Sequence, residues 1–230
     1  VKAFGAVGDD STDDTAAMQA AVDAGFNAGG GTVYITTGTY IVSSIVKNWI
    51  GAVTVRIQGA GKRATRIKKK TGTTTPVLDF SSSPGIVETY SEICDLWIDG
   101  SNLATAGLLV TDWARWTMKN VLVQSCTNGV HAKGGLVFDV YDCTIQANVF
   151  GYYCEKSTAN IYSNLVQFFG GQISANSTCG MFIQQASGVH LYGTDLSANG
   201  VAGNASTGAI FVDANVDDET GFSSMSGNGV

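Results

Sequence analysis

The side chains best suited to chemistry are carboxylates spread over the second half of the chain. Glu155, Asp139 and Asp142 are the candidates for acid, base or nucleophile. Two carboxyl groups on one face suit glycosidic cleavage: ~5 Å apart one acts as nucleophile, and ~6.5–9.5 Å apart one activates water. His131 and Lys133 are supporting polar residues, and Tyr153, Trp116 and Phe182 are candidate sugar platforms. Side chains alternate between the faces of a strand. That alternation puts Leu109, His131, Tyr153 and Phe182 in one outward column, with Thr111, Lys133, Glu155 and Gln184 two residues on. An imidazole, an ammonium, a carboxylate and rings together make the mixture that sugar-binding grooves use. A third outward column holds Thr117, Asp139, Gln167 and His190, and Asp95, Asn120 and Asp142 share a fourth.

The elements that must carry these columns form a repeat. Asp95–Asp99, Asn120–Gln124, Asp142–Gln146, Gly170–Ser174 and Gly193–Ser197 are versions of one phrase, aligning Ile98, Val123, Ile145, Ile173 and Leu196. A second phrase follows each, opening at Gly107, Gly129, Gly151, Gly180 and Gly208. Two phrases recurring every ~25 residues describe a solenoid whose stacked coils bury a continuous aliphatic core. Leu96 and Ile98 point inward, and Asp95, Trp97 and Asp99 outward. About eight coils at ~4.8 Å give a stack on the order of 40 Å long. Asn148, Asn176 and Asn199 end the same phrase, where Asn tolerates left-handed turns and can bond to its counterparts up the stack.

Ahead of the coils, Asp13 and Asp14 precede an Ala-rich run and can cap a helix. Ala17, Met18, Ala21 and Val22 form its apolar stripe. Gly25 and Gly29–Gly31 stop it, and Val33, Ile35, Tyr40 and Val42 begin strands. The helix suits a plug over the open end of a β-stack.

Phe4–Asp9, Thr12–Ala17, Gly31–Ile35 and Gly38–Tyr40 resemble, in order and spacing, the opening of pectate-lyase-like proteins, of the phage tailspike and depolymerase type. The resemblance implies an all-β fold, a right-handed parallel β-helix with a short N-terminal capping α-helix. Residues 1–30 would form the cap region and 31–230 the coils of a single domain. It also implies a polysaccharide ligand in a lateral groove. A tailspike-type depolymerase, commonly a homotrimer in the virion tail or outside the cell, fits best. The alternatives are a secreted monomeric enzyme like pectate lyase or polygalacturonase, and a non-catalytic fibre or glycan-binding module. No Asn-Thr-Asp or Gly-His-Gly signature of the polygalacturonase branch occurs. After Trp116 the basic residues are Lys119, Lys133 and Lys156 alone, which favours a carboxylate-based hydrolase over a lyase.

A formal net charge of −6 argues against a nucleic-acid footprint. The basic run of Arg63, Arg66 and Lys68–Lys70 reads as a solvated edge. No run of eighteen apolar residues occurs, so no membrane insertion is expected. Five cysteines without a C-x-x-C pair point away from zinc, and Cys94 and Cys143 read as small buried hydrophobes. No cofactor or metal is expected, and Asp213, Asp217, Asp218 and Glu219 read as a solvated acidic turn. The sequons at Asn176 and Asn204 carry little weight. The chain stops at Val230 where another coil would begin, so further chain or a second subunit is expected there.

Overall fold

The computed structural model describes residues 1–82, 87–159, 161–201, 208–212 and 225–227. The acidic cluster at 213–219, the Asn204 sequon and the final residues 228–230 lie outside them. The paired strands run parallel in three sheets. The first runs from Asp9–Asp13 to Gln172–Ser174, the second from Ile45–Trp49 to Gly208–Val212, and the third from Gly31–Ile35 to Met225–Gly227. Each coil passes from the third sheet to the first and then the second, making a right-handed parallel β-helix, the hand that parallel crossovers take.

The aliphatic column forms as the repeat requires. Tyr40, Ile67, Ile98, Val123, Ile145 and Ile173 pair in register and are fully buried. A second, aromatic seam runs up the interior: Phe26 against Trp49, Trp49 against Trp113, Trp113 against Trp116, and Trp116 stacked on Phe138.

The helix spans Thr15–Asn27 and buries Met18, Ala21, Val22 and Phe26. Phe26 sets its ring edge-on to Trp49, with centroids 3.8 Å apart. Gly25 lies inside the helix rather than ending it. A Cβ there would stand 3.0 Å from Val33 Cγ2, so glycine allows the helix to approach the third sheet. Asp14 sits at the helix start, but its buried carboxylate accepts from the Val7 and Gly8 N–H groups at 2.6 and 3.0 Å instead of capping the helix. Asp13 binds the Thr15 N–H at 3.1 Å. Asp9–Asp13 pairs with Gly38–Val42 as the first strand of its sheet.

Two polar expectations change. Asp99 is buried, because its three-residue strand ends there. Its carboxylate accepts from the Ser101 N–H at 2.8 Å and pairs with Arg66, whose guanidinium lies over the Trp97 ring. The basic run is no free edge: Lys68 and Lys70 pair with Asp10 and Asp13 at 2.7 Å each. Lys69 is fully buried, its ammonium bonding Ser43 O and Thr75 Oγ1, and burial lowers its pKa to about 8. All five cysteines are free and buried, and burial pushes Cys126, Cys143 and Cys154 up to about 12.

The asparagine ladder is present, but the left-handed position falls one residue earlier. Ser125, Ala147, Ala175 and Ala198 take φ between 52° and 59°. After Ala147, Ala175 and Ala198 that twist turns the following Asn inward, and Cys126 takes the same place after Ser125. Asn176 accepts from the Asn148 N–H and Nδ2 at 3.0 and 3.1 Å, and its own Nδ2 donates to Asn199 Oδ1 at 2.9 Å. Asn176→Ala orphans the Asn148 N–H and removes the side-chain donor to Ile145 O, while Asn199 Oδ1 keeps only the backbone N–H of residue 176. At about 1–3 kcal/mol per buried group left unsatisfied, urea unfolding should show a loss of ~2 kcal/mol or more.

Candidate functional site

The site is built on the outward face of the second sheet, on Ala106–Thr111, Asn128–Lys133, Phe150–Glu155 and Cys179–Ile183. Leu108, Val130, Tyr152 and Met181 point into the core, while Leu109, His131, Tyr153 and Phe182 stand in register outside. Thr111, Lys133 and Glu155 form the next outward column. Glycine is the second residue of each strand because neighbouring coils approach closely: a Cβ on Gly129 would lie 2.6 Å from both Gly151 O and Ile145 Cγ2.

Register brings Glu155, His131 and Lys133 together. Glu155 Oε1 lies 3.0 Å from His131 Nε2 and 3.1 Å from Lys133 Nζ. His131 Nδ1 lies 3.2 Å from Asn128 Nδ2. An ionised Glu155 fixes the tautomer, with Nε2–H donating to the carboxylate and Nδ1 accepting from the Asn128 amide. Burial lowers the His131 pKa, more strongly than Glu155 raises it. The imidazole is therefore neutral near pH 7, and its role is to hold the carboxylate.

The sign of the pH effect follows. The folded value lies below the unfolded one, so the unfolded chain takes up the proton first as pH falls. The stability from the neutral ring is complete above ~6.5 and is lost as pH falls through the lower folded value. Urea midpoints at pH 8 and pH 5 should show this loss, and His131→Gln should reduce it.

Sequence reasoning missed Asp79. It stands in the same outward column, two coils before His131. Burial raises its pKa against the opposing charge of Lys133. Its coil lacks the Gly-led phrase that marks the later ones, so no repeat signal pointed to it.

The rings differ from expectation. Tyr153 and Phe182 stack with centroids 5.0 Å apart and planes 6° from parallel, and Phe182 continues onto Phe211 at 5.1 Å. His131 meets Tyr153 edge-on at 4.9 Å. The ring faces therefore cover one another, and the stack offers a ridge of edges rather than open platforms. Tyr153 Oη donates to Gln184 Oε1 at 3.2 Å. Trp116 is no platform at all: it is buried inside the solenoid and stacked on Phe138. Its strand kinks at Arg115, where φ is 55°, and Trp116 falls on the inward side.

The expected carboxylate pairs are not assembled. Asp139 lies on the outward face of the third sheet, in the foreseen column with Thr117, Gln167 and His190. Burial raises its pKa. Asp142 is an exposed turn residue between the third and first sheets, with φ 49° and its carbonyl accepting from Lys62 Nζ. Glu155 is on a different face from both, because a corner at Gly134 and Gly135 separates the second sheet from the third. Among the described residues, no group of three or more His, Cys, Asp or Glu side chains is arranged to hold a metal ion.

A family model described as rhamnogalacturonase A/epimerase, pectate lyase-like, matches residues 1–221. The chain belongs to this family. A mannuronan C5-epimerase of Azotobacter vinelandii, AlgE3, is 45% identical over 106 residues, which is 44% of this chain and 6% of the relative. Alginate lyase 7 of the same organism is 43% identical over 112 residues, 46% of this chain and 13% of the relative. These matches thus cover under half of the chain and a small part of each relative. The solved ORF18 protein of Geobacillus virus E2 superposes with a TM-score of 0.70 at 26% identity, covering 85% of this chain and 41% of the phage protein.

Proposed function

We propose that the second-sheet face binds an acidic polysaccharide and that Glu155 acts there as a general base. The observation that carries this reading is the carboxylate of Glu155, gripped on one oxygen by His131 and Lys133 beside the ridge of Tyr153 and Phe182. Lys133, with over a third of its side chain exposed, can meet a sugar carboxylate. That contact makes the neighbouring ring carbon more acidic, so proton removal by Glu155 leads to epimerisation or to elimination across the glycosidic bond. The names of the relatives, a mannuronan epimerase and an alginate lyase, support this class of reaction. Among the described residues, this face offers no second carboxylate in range for hydrolysis. Asp79 is three coils from Glu155, ~14 Å at ~4.8 Å per coil, beyond the ~9.5 Å limit for an inverting pair.

Incubation with mannuronan, alginate and polygalacturonate tests the reading. Unsaturated sugars seen by ultraviolet absorbance, or altered ring-proton NMR signals, are expected. Unchanged polymer throughout would contradict it.

The likeness to the phage protein supports a finer reading, a single-domain tailspike-type chain acting in the virion tail or outside the cell as a homotrimer. Light scattering should then give three times the 23.9 kDa chain mass; a monomer would favour the secreted-enzyme alternative.

A further inference from the structure

The corner between the second and third sheets holds a buried carboxylate that the second-sheet site does not use. Asp112 follows the strand Ala106–Thr111 and is 6% exposed. Its main chain is satisfied on both sides. The N–H donates to Lys133 O at 3.0 Å, and the carbonyl accepts from the Ser82 hydroxyl. The side chain is not satisfied: Oδ1 is buried and has no hydrogen-bond partner. Among the described residues no Lys, Arg or His forms an ion pair with it. Taking a carboxylate out of water without a partner is costly, and proteins rarely leave one so.

A second oxygen faces the same small space. Gly134 lies one coil on, with φ 69°. A Cβ built there would stand 2.8 Å from Asp112 Oδ1, 2.8 Å from Ile161 O and 3.2 Å from Ser157 Cβ. The two oxygens thus converge on one point beside the Gly134 Cα. Ile161 O already accepts from the Ser157 N–H at 2.9 Å, and a carbonyl keeps a second lone pair for another partner. Ser157 is buried and closes the space from the side. Glycine at 134 leaves this cradle open, and any other residue would fill it.

We propose that the cradle binds a small monovalent metal cation, such as sodium, between the Asp112 carboxylate and the Ile161 carbonyl. Hard cations take oxygen ligands of this kind, with water completing the shell. The charge balance favours a single positive charge. Asp112 is the carboxylate that faces the space, and no group of three or more His, Cys, Asp or Glu side chains forms a metal site among the described residues. A divalent ion would leave an excess charge in a buried place. A water would bridge the two oxygens but leave the charge of the carboxylate uncompensated.

The ion ties three successive coils together. Asp112 is on the first, Gly134 on the second, and Ser157 and Ile161 are on the third. The same corner holds the carbonyls of Lys133 and Glu155, which accept from the Asp112 and Gly134 N–H groups at 3.0 and 2.9 Å. The cation therefore anchors the chain beside the second-sheet site, but its binding does not depend on the chemistry of that site.

The test compares thermal midpoints of the whole chain in sodium chloride and in choline chloride at equal concentration, since choline is too large for the cradle. Sodium should raise the midpoint by about 3–6 °C, the shift expected with the ion at ~10 times its Kd. Asp112→Asn keeps the shape of the side chain and removes its charge, so its midpoint should be the same in both salts. Gly134→Ala fills the cradle and should lose the sodium effect as well. Sodium NMR gives a reading that needs no unfolding: the parent chain should broaden the sodium line, and Asp112→Asn should broaden it several-fold less. Equal midpoints for the parent chain in the two salts would overturn the proposal, as would a sodium effect that persists undiminished in Asp112→Asn. A midpoint raised by millimolar calcium but not by sodium would assign the corner to a divalent ion and overturn it too.

Discussion

Glu155→Gln should lower turnover on an acidic polysaccharide by ~10²–10⁴-fold, the range expected when a general base is removed. The amide keeps the size of the carboxylate and can still accept from His131 Nε2 and Lys133 Nζ, which lie 3.0 and 3.1 Å from Oε1 in the parent chain. It cannot take a proton. Binding should therefore change little, and the loss should appear in kcat rather than KM. Lys133→Ala should show the opposite split. It leaves the base in place but removes the cation that meets the sugar carboxylate, so KM should rise. A Glu155→Gln variant with unchanged kcat would remove Glu155 from the chemistry and leave the network a structural one.

The second large effect is on stability. Trp113→Ala should destabilise the chain by ~3–5 kcal/mol, the cost of truncating a large buried aromatic. Trp113 is 1% exposed and lies where the seam branches: its ring is 4.0 Å from Trp49, 5.4 Å from Phe80 and 5.8 Å from Trp116. Through Trp49 it also supports Phe26 and thus the N-terminal helix. Its Nε1 has no hydrogen-bond partner, so the loss is one of packing and cavity formation, and Trp113→Phe should recover part of it. At ~2–4 °C per kcal/mol for a chain of this size, the thermal midpoint should fall on the order of 10 °C. A fall of less than a degree or two would mean that the helix and the coils do not share one core.

The repeat was legible because it depends on a simple spacing. Ile98, Val123, Ile145 and Ile173 occupy one column in the sequence, and they occupy one in the fold. The outward columns through His131 and Asp139 followed from the same alternation, down to the pairs Lys133 with Glu155 and Asp139 with Gln167. Alternation tells inside from outside but not which outside. Gly134 and Gly135 turn the chain between sheets, so Asp139 and Glu155, both correctly placed outward, face different directions. Where a left-handed residue interrupts a strand, the alternation also resets. Arg115 does this, and Trp116 passed from an expected surface platform to the core. Lys69 and Asp99 were missed for a related reason. Both close a strand, where a charged side chain can fold back to backbone carbonyls or a nearby guanidinium.

The most direct measurement is a crystal structure with a bound acidic oligosaccharide, mannuronan hexamer being the first choice. The account predicts sugar density along the second sheet, with a sugar carboxylate at Lys133 Nζ and a ring carbon within reach of Glu155. Density confined to the first sheet, or none at a concentration that saturates the chain in solution, would contradict it.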